Sequence, residues 1–212
     1  MPDGDALSYE LVSLVLGVLL AELLVHALWL APIMLAPVAY IHRSAMIKAL
    51  REAARTDSKT GLLNTAAWTE QARADLARCA RNDRSAAVVI IDVDNFKAIN
   101  DLRGHLVGDR VLTEVADVLR RELRGHDGIG RFGGDEFVVL LEEVDPADAA
   151  VVVDRLQAAL ATIRIDDLAP GVSIGMANTG AHGGILEPLL AAADGALYAA
   201  KAGGRGRVCV AP

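Results

Sequence analysis

Apolar residues are spread unevenly along the chain. From Leu11 to Ile41 the only acidic or basic side chains are Glu22 and His26, and a helix crosses a bilayer core with about 20 apolar residues. The pattern predicts one or two membrane passes within residues 1–43. They form either one tilted, overlong helix or two short elements turning near Glu22–Leu28, with Pro32 and Pro37 kinking the second half. Asp3, Asp5 and Glu10 precede the run, while His42, Arg43, Lys48 and Arg51 follow it. Basic flanks stay on the cytoplasmic side, so the C-terminal part is expected in the cytoplasm, held at the inner membrane. Residues 44–55 place Ala45, Ile47, Leu50 and Ala54 among charges. That reads as a short connecting helix that pairs weakly with a second copy.

From residue 56 onward the periodicity changes repeatedly. A helix is expected over Thr65–Arg81, capped by Thr56 or Asp57 after a loop containing Gly61. Ala86–Asp92 is a short β-branched run and predicts a buried strand. Residues 107–124 repeat apolar side chains at Val111, Leu112, Val115, Val118, Leu119 and Leu123, the stripe of a helix with one buried face. Strands at Ile129–Phe132 and Phe137–Leu141 flank Gly133-Gly134, which favours a primed hairpin turn. A helix from Pro146 to Ile163, a strand Gly171–Ala177, a glycine-rich loop Asn178–Gly184, a helix Leu186–Ala202 and an edge strand Arg207–Val210 complete the reading. A hairpin combined with long crossover helices gives an α+β fold, a partly antiparallel central sheet flanked by helices. A doubly wound parallel sheet does not fit this order.

Composition narrows the functions. The 212 residues are 53% hydrophobic but only 4% aromatic, so Ala, Val, Leu and Ile must fill the core. A net charge of −7 does not suit a nucleic-acid polymer as partner. Cys79 and Cys209 form no metal-like spacing and suggest a reducing compartment. No G-x-x-x-x-G-K-[ST] or strand–G-x-G-x-x-G–helix pattern occurs, so a nucleotide site must use other means.

Two acidic clusters stand out. Asp92 and Asp94 end the first predicted strand, and Asp135 and Glu136 sit in the hairpin turn. If the hairpin pairs beside that strand, Asp92 and Glu136 can share a hard divalent cation. Mg²⁺ is commonly held by one or two carboxylates completed by substrate phosphates.

The spelling of the surrounding segments adds a family. Residues 133–137 read Gly-Gly-Asp-Glu-Phe within Arg131–Phe137. They are accompanied by Asp57-Ser-Lys-Thr-Gly-Leu-Leu-Asn64, Ile91-Asp-Val-Asp-Asn-Phe-Lys-Ala-Ile-Asn-Asp101 and Gly104-His-Leu-Val-Gly-Asp109. Ser173-Ile-Gly175 and Asp194-Gly-Ala-Leu-Tyr-Ala-Ala-Lys201, then Gly204-Arg205, close the series. Over residues 57–208 the chain resembles the GGDEF family of diguanylate cyclases. The resemblance implies a fold like the palm of nucleotidyl cyclases and polymerases, in residues 56–212, acting as a homodimer. It implies that Asp92, the Val93 carbonyl and Glu136 hold Mg²⁺ or Mn²⁺, with Asp135 joining the catalytic centre. Asn100 and Asp109 match the guanine readers, Phe96 and Lys97 the phosphate cradle, and Lys201 and Arg205 the cations on the β- and γ-phosphates.

The implied reaction condenses two GTP into cyclic di-GMP, releasing two pyrophosphates. Arg124-Gly-His-Asp127 resembles the family's RxxD site, where the product binds and inhibits. Gly206 stands where the family often has Asn, which loosens the C-terminal edge without touching catalysis. The alternative is a catalytically silent module that binds GTP or cyclic di-GMP and signals by protein contact. Synthesis from adenine nucleotides is disfavoured, because adenine would leave the Asp109 carboxylate unpaired.

Overall fold

The computed structural model describes residues 12–19, 21–22, 25–26, 40, 43 and 55–212. The chain divides into two compact units, Met1–Ala53 and Ala54–Pro212. In the first, Val12–Leu19 is helical and exposed, with Val12, Val15, Leu16 and Leu19 bordering one shallow apolar recess. Among the described residues no helix is long and apolar enough to cross a membrane. Most of the span expected over Leu11–Ile41, and nearly all of the connecting helix over residues 44–55, lie outside the described residues.

The second unit runs β1 (Leu63–Asn64), α1 (Thr65–Arg81), β2 (Ala87–Val93), α2 (Phe96–Arg103), α3 (His105–Glu122), β3 (Gly128–Gly133), β4 (Glu136–Leu141), α4 (Pro146–Leu160), β5 (Val172–Asn178), α5 (Thr179–His182), α6 (Leu186–Ala202) and β6 (Val208–Val210). The sheet order is β1-β3-β4-β2-β5-β6. Its centre is antiparallel, β2 lying between β4 and β5. Both edges, β1 with β3 and β5 with β6, pair parallel. This is the expected α+β sheet.

Every residue of β2 is buried, as a strand covered on both faces requires. Strand side chains alternate between faces, and the two cores divide accordingly. Val89, Ile91, Phe137, Val139 and Ile174 pack with Val111, Val115 and Leu119 of α3 and Val153 and Leu156 of α4. Val88, Ile90, Val138 and Leu140 pack with Trp68 and Leu76 of α1 and Leu189, Ala193 and Leu197 of α6. Asp92 and Glu136 share the parity of the second set. Their side chains therefore belong to the α1/α6 side of the sheet.

Several local expectations change. The cap of α1 is Asn64, whose side chain accepts from the Ala67 N–H, not Thr56 or Asp57. Asp57 instead accepts from the Thr60 N–H and hydroxyl within its own turn. Helix α2 is additional, and α3 begins at His105, two residues before the expected start. Gly104, at φ 82°, ends α2 and opens α3, a corner that favours glycine. The glycine-rich loop after β5 contains the helical turn α5, capped by Asn178.

Candidate active site

The central strands deliver the acidic clusters to one point. In the β2–β4 ladder Asp92 stands directly opposite Glu136. The turn between β3 and β4 holds them there: Gly133 pairs with Glu136, leaving Gly134 and Asp135 as the loop. Gly134 has φ 51° and Asp135 has no positive φ, the sign pattern of a II′ turn, one of the primed hairpins expected. The Asp135 carbonyl accepts from the Val93 N–H at 3.2 Å, tying the turn to the end of β2. Arg131 is buried and reinforces this, donating to the Gly134 carbonyl at 2.6 Å and to Asp57 Oδ1 at 2.8 Å. Burial pushes the Asp57 carboxyl upward, but hydrogen bonds from Arg131 and Thr60 outweigh it and leave the group below its ordinary range.

Lys201, in the last turn of α6, places its Nζ 2.8 Å from Asp92 Oδ2. Burial raises the Asp92 carboxyl above its ordinary range. Lys201 pulls the other way, while the charges of Asp135 and Asp94 add to the rise. Glu136 is also raised, first by burial and then by the Asp92 charge, with Asp135 and Asp194 adding and Lys201 opposing. Two carboxylates with elevated proton affinity and a cation already on one of them describe a site short of positive charge. The hard oxygen donors suit Mg²⁺ or Mn²⁺. Among the described residues no three acidic, histidine or cysteine side chains converge to hold a metal unaided. Asp92 and Glu136, opposed across the ladder, would fit a metal that takes its other ligands from outside these two side chains.

Asp94 is not part of that set. It is buried, and its Oδ1 accepts from the Ser173 hydroxyl at 2.7 Å and its Oδ2 from the Gly206 N–H at 3.0 Å. Gly206, at φ 60°, is thereby fastened through its backbone. The C-terminal loop is pinned at this point rather than loosened. The expectation of a loose edge considered only the missing amide side chain. Arg205 is exposed and left-handed at φ 64°. Together with Asp94, Asn95, Pro170 and Gly206 it lines an open cavity of about 550 Å³.

The remaining predicted residues sit around the α2–α3 corner. Phe96 and Lys97 open α2 directly after Asn95, which is left-handed at φ 56°. The first N–H groups of that helix have no intrahelical partners and carry its positive dipole end. Lys97 is exposed and Phe96 half-buried. Asn100 and Asp109 lie on the two helices, and Gly108 lets the Asn100 side chain pack against the start of α3. A Cβ at Gly108 would meet Asn100 Oδ1 at 2.0 Å and the Phe96 ring at 3.2 Å. Asp109 is in contact with the Lys59 ammonium through its Oδ1. Lys59 was missed because its ion pair spans fifty residues of chain.

Arg124 and Asp127 lie at the opposite end of the β3–β4 hairpin. Asp127 Oδ2 accepts from the Arg124 N–H at 2.8 Å, and its Oδ1 from the Glu142 N–H at 3.3 Å. With Glu142, Val151 and Arg155 they border a cavity of about 260 Å³.

Comparison with known proteins identifies the family and the fold. The family described as diguanylate cyclase, GGDEF domain, matches residues 54–207. A probable diguanylate cyclase, DgcC of Escherichia coli K12, is 38% identical over 158 residues, covering 73% of this chain and 43% of its own length. The diguanylate cyclase DgcP of Pseudomonas aeruginosa is 42% identical over 166 residues, covering 76% of this chain and 24% of its own. The chain thus spans less than half of these relatives. The GGDEF domain of PA1120 from P. aeruginosa superposes with a TM-score of 0.71 at 37% identity, covering 74% of this chain and 94% of that one. The coiled coil and GGDEF domain of DgcB from Caulobacter crescentus, in complex with c-di-GMP, gives a TM-score of 0.73 at 27% identity, covering 86% of this chain and 99% of that one. With the family matching over residues 54–207 and the fold superposing on solved GGDEF domains, this chain belongs to the GGDEF domain family of diguanylate cyclases.

Proposed function

We propose that the protein is an active diguanylate cyclase, condensing two GTP into cyclic di-GMP as a homodimer. The observation that carries this reading is the cross-strand pairing of Asp92 with Glu136, at the end of the central strand and beside the start of α2. Each protomer binds one GTP, with Asn100 and Asp109 on the base and the first turn of α2, including Phe96 and Lys97, on the phosphates. Lys201 moves from Asp92 onto the β- and γ-phosphates together with Arg205. Asp92, Glu136 and the Val93 carbonyl would hold a divalent ion, which would supply charge neutralisation at the transferring phosphoryl group.

The 3′-oxygen of one nucleotide forms a bond to the α-phosphorus of the other. The bond from that phosphorus to the bridging oxygen breaks, and pyrophosphate leaves. Asp135, at the tip of the turn, receives the hydroxyl proton. A second transfer in the reverse sense closes the ring. Both nucleotides must face each other, so pairing of two protomers creates the reaction geometry.

The test uses residues 50–212 fused to a dimerising coil, with GTP and Mg²⁺. Cyclic di-GMP and pyrophosphate are expected. GTP binding without product in that dimer would instead establish the silent module. Arg124 and Asp127 bind the product at the far end of the hairpin and restrain turnover. Arg124→Ala is expected to raise the product concentration needed for half-inhibition by about tenfold, since charge-assisted contacts to phosphate contribute on this scale. Inhibition unchanged in progress curves would remove this second site. The N-terminal segment holds the protein at the inner membrane, with the catalytic unit in the cytoplasm. Recovery of the full chain in the soluble fraction after cell lysis would refute that placement.

A further inference from the structure

Lys59 lies outside the metal centre, yet its ammonium rests on Oδ1 of Asp109. Its backbone is held in place: the Lys59 N–H donates to Asp57 Oδ1 at 3.3 Å, within the turn that also binds Thr60 and Arg131. The next carbonyl, that of Thr60, accepts from the Arg120 guanidinium. Arg131 and Arg120 thus tie the loop to the rest of the domain, and the Lys59 side chain reaches from it to the carboxylate. Both partners remain open to solvent, at 48% and 39% of their side-chain surface. An ion pair that exposed contributes little to folding. Its placement beside a base-reading carboxylate is the feature that calls for a function.

We infer that Lys59 is a specificity-determining residue, the donor that reads O6 of the guanine whose N1–H and N2–H₂ are read by Asp109. This rests on the proposed role of Asp109. The pairing edge of guanine presents donor, donor and acceptor in a row: N2–H₂, N1–H and O6. Its complement is acceptor, acceptor and donor. Asp109 supplies the two acceptors, and an ammonium on Oδ1 supplies a donor at the neighbouring position. A carboxylate oxygen accepts more than one hydrogen bond, and Lys carries three N–H groups, so the contact with Asp109 and the contact with O6 coexist. Adenine fails at both places. Its N1 lone pair would face the carboxylate, and its 6-amino group would face the ammonium. A site built around such polar partners rejects the base that leaves them unpaired.

The experiment measures equilibrium affinity of the full chain for guanosine diphosphate, its 6-thio analogue and inosine diphosphate, in Mg²⁺, for the wild type, Lys59→Met and Asp109→Asn. Sulfur at position 6 is a poor acceptor, while inosine keeps O6 and loses only N2–H₂. The wild type is expected to prefer guanosine diphosphate over the 6-thio analogue by roughly tenfold, the worth of one charge-assisted hydrogen bond. Lys59→Met should weaken guanosine and inosine diphosphate by about the same factor and bring the 6-thio ratio close to one. Its melting temperature should be unchanged, because the side chain is exposed. A 6-thio preference that survives Lys59→Met, or tighter guanosine diphosphate binding in that variant, overturns the assignment and leaves Lys59 only an ion-pair partner of Asp109. Asp109→Asn separates the two levels of the argument. If it leaves guanosine diphosphate affinity intact, the base-reading role of Asp109 fails. If it weakens binding while Lys59→Met does not, only the Lys59 role fails.

Discussion

Glu136→Gln is expected to lower cyclic di-GMP synthesis by on the order of 10³-fold or more, because it removes a ligand from a metal that stabilises developing phosphoryl charge. The same change is expected to raise the melting temperature of the metal-free protein. Glu136 faces Asp92 across the ladder, with Asp135 and Asp194 adding to the repulsion. Like charges directly opposite in a sheet cost up to about 1 kcal/mol. For a unit of this size that corresponds to roughly 2–4 °C. The pH dependence has a definite sign. Asp92 and Glu136 both have raised carboxyls, so between the ordinary value and the raised one the folded state binds more protons than the unfolded state. Stability contributed by these groups is present below their ordinary range and is lost as pH rises through the folded values. The advantage of Glu136→Gln should therefore be seen at neutral pH and vanish below the ordinary carboxylate range. Mg²⁺ should stabilise the wild type more than the variant. A variant that turns over normally, or that gains as much stability from Mg²⁺ as the wild type, would contradict the assignment of Glu136 to the metal.

Gly175→Ala is expected to cost roughly 3 kcal/mol or more in urea denaturation and to depress turnover with it. A Cβ at this position of β5 would lie 2.2 Å from both the Ala193 carbonyl oxygen and the Leu197 nitrogen of α6. Those atoms are helix backbone and cannot turn aside, so α6 must lift from the sheet. Lys201 lies in the last turn of that helix and its ammonium is on Asp92. Displacing α6 therefore disturbs the site without touching it. Gly195 provides the control. It lies inside the same helix with nothing within 4 Å of its Cβ position. Gly195→Ala should raise stability by up to about 1 kcal/mol through helix propensity alone. Equal effects from the two substitutions would show that close packing of α6 on β5 is not what Gly175 provides.

Much of this arrangement was legible before the structure. The apolar stripe of residues 107–124 announced α3 because a helix with one buried face must repeat its apolar side chains every three or four positions. Leu186–Ala202 matched α6 at both ends. Helix α2 escaped notice because eight residues with Ile99 as the one buried side chain carry too few turns for a periodic signal. The two-residue strand β1 is defined by its parallel partner Gly130–Arg131, sixty-seven positions away, and has no local pattern of its own. The cap of α1 was misplaced because Asp57 and Asn64 are both good capping residues. Only the partners made by the fold distinguish them: Arg131 and Thr60 for Asp57, the Ala67 N–H for Asn64.

Residue order alone was enough to determine the sheet class, the hairpin turn and the two acidic clusters at the strand ends. Each of these rests on local spacing, periodicity or spelling. Tertiary structure decided which of those groups act together. Asp92 and Glu136 became neighbours through the β2–β4 register, Lys201 reached Asp92 because Gly175 admits α6, and Asp94 was diverted to Ser173 and Gly206. Lys59 met Asp109 only because the loop before β1 folds onto α3. Such contacts join positions tens of residues apart, and the free energy that selects them comes from packing of the whole sheet, which no short stretch of sequence contains.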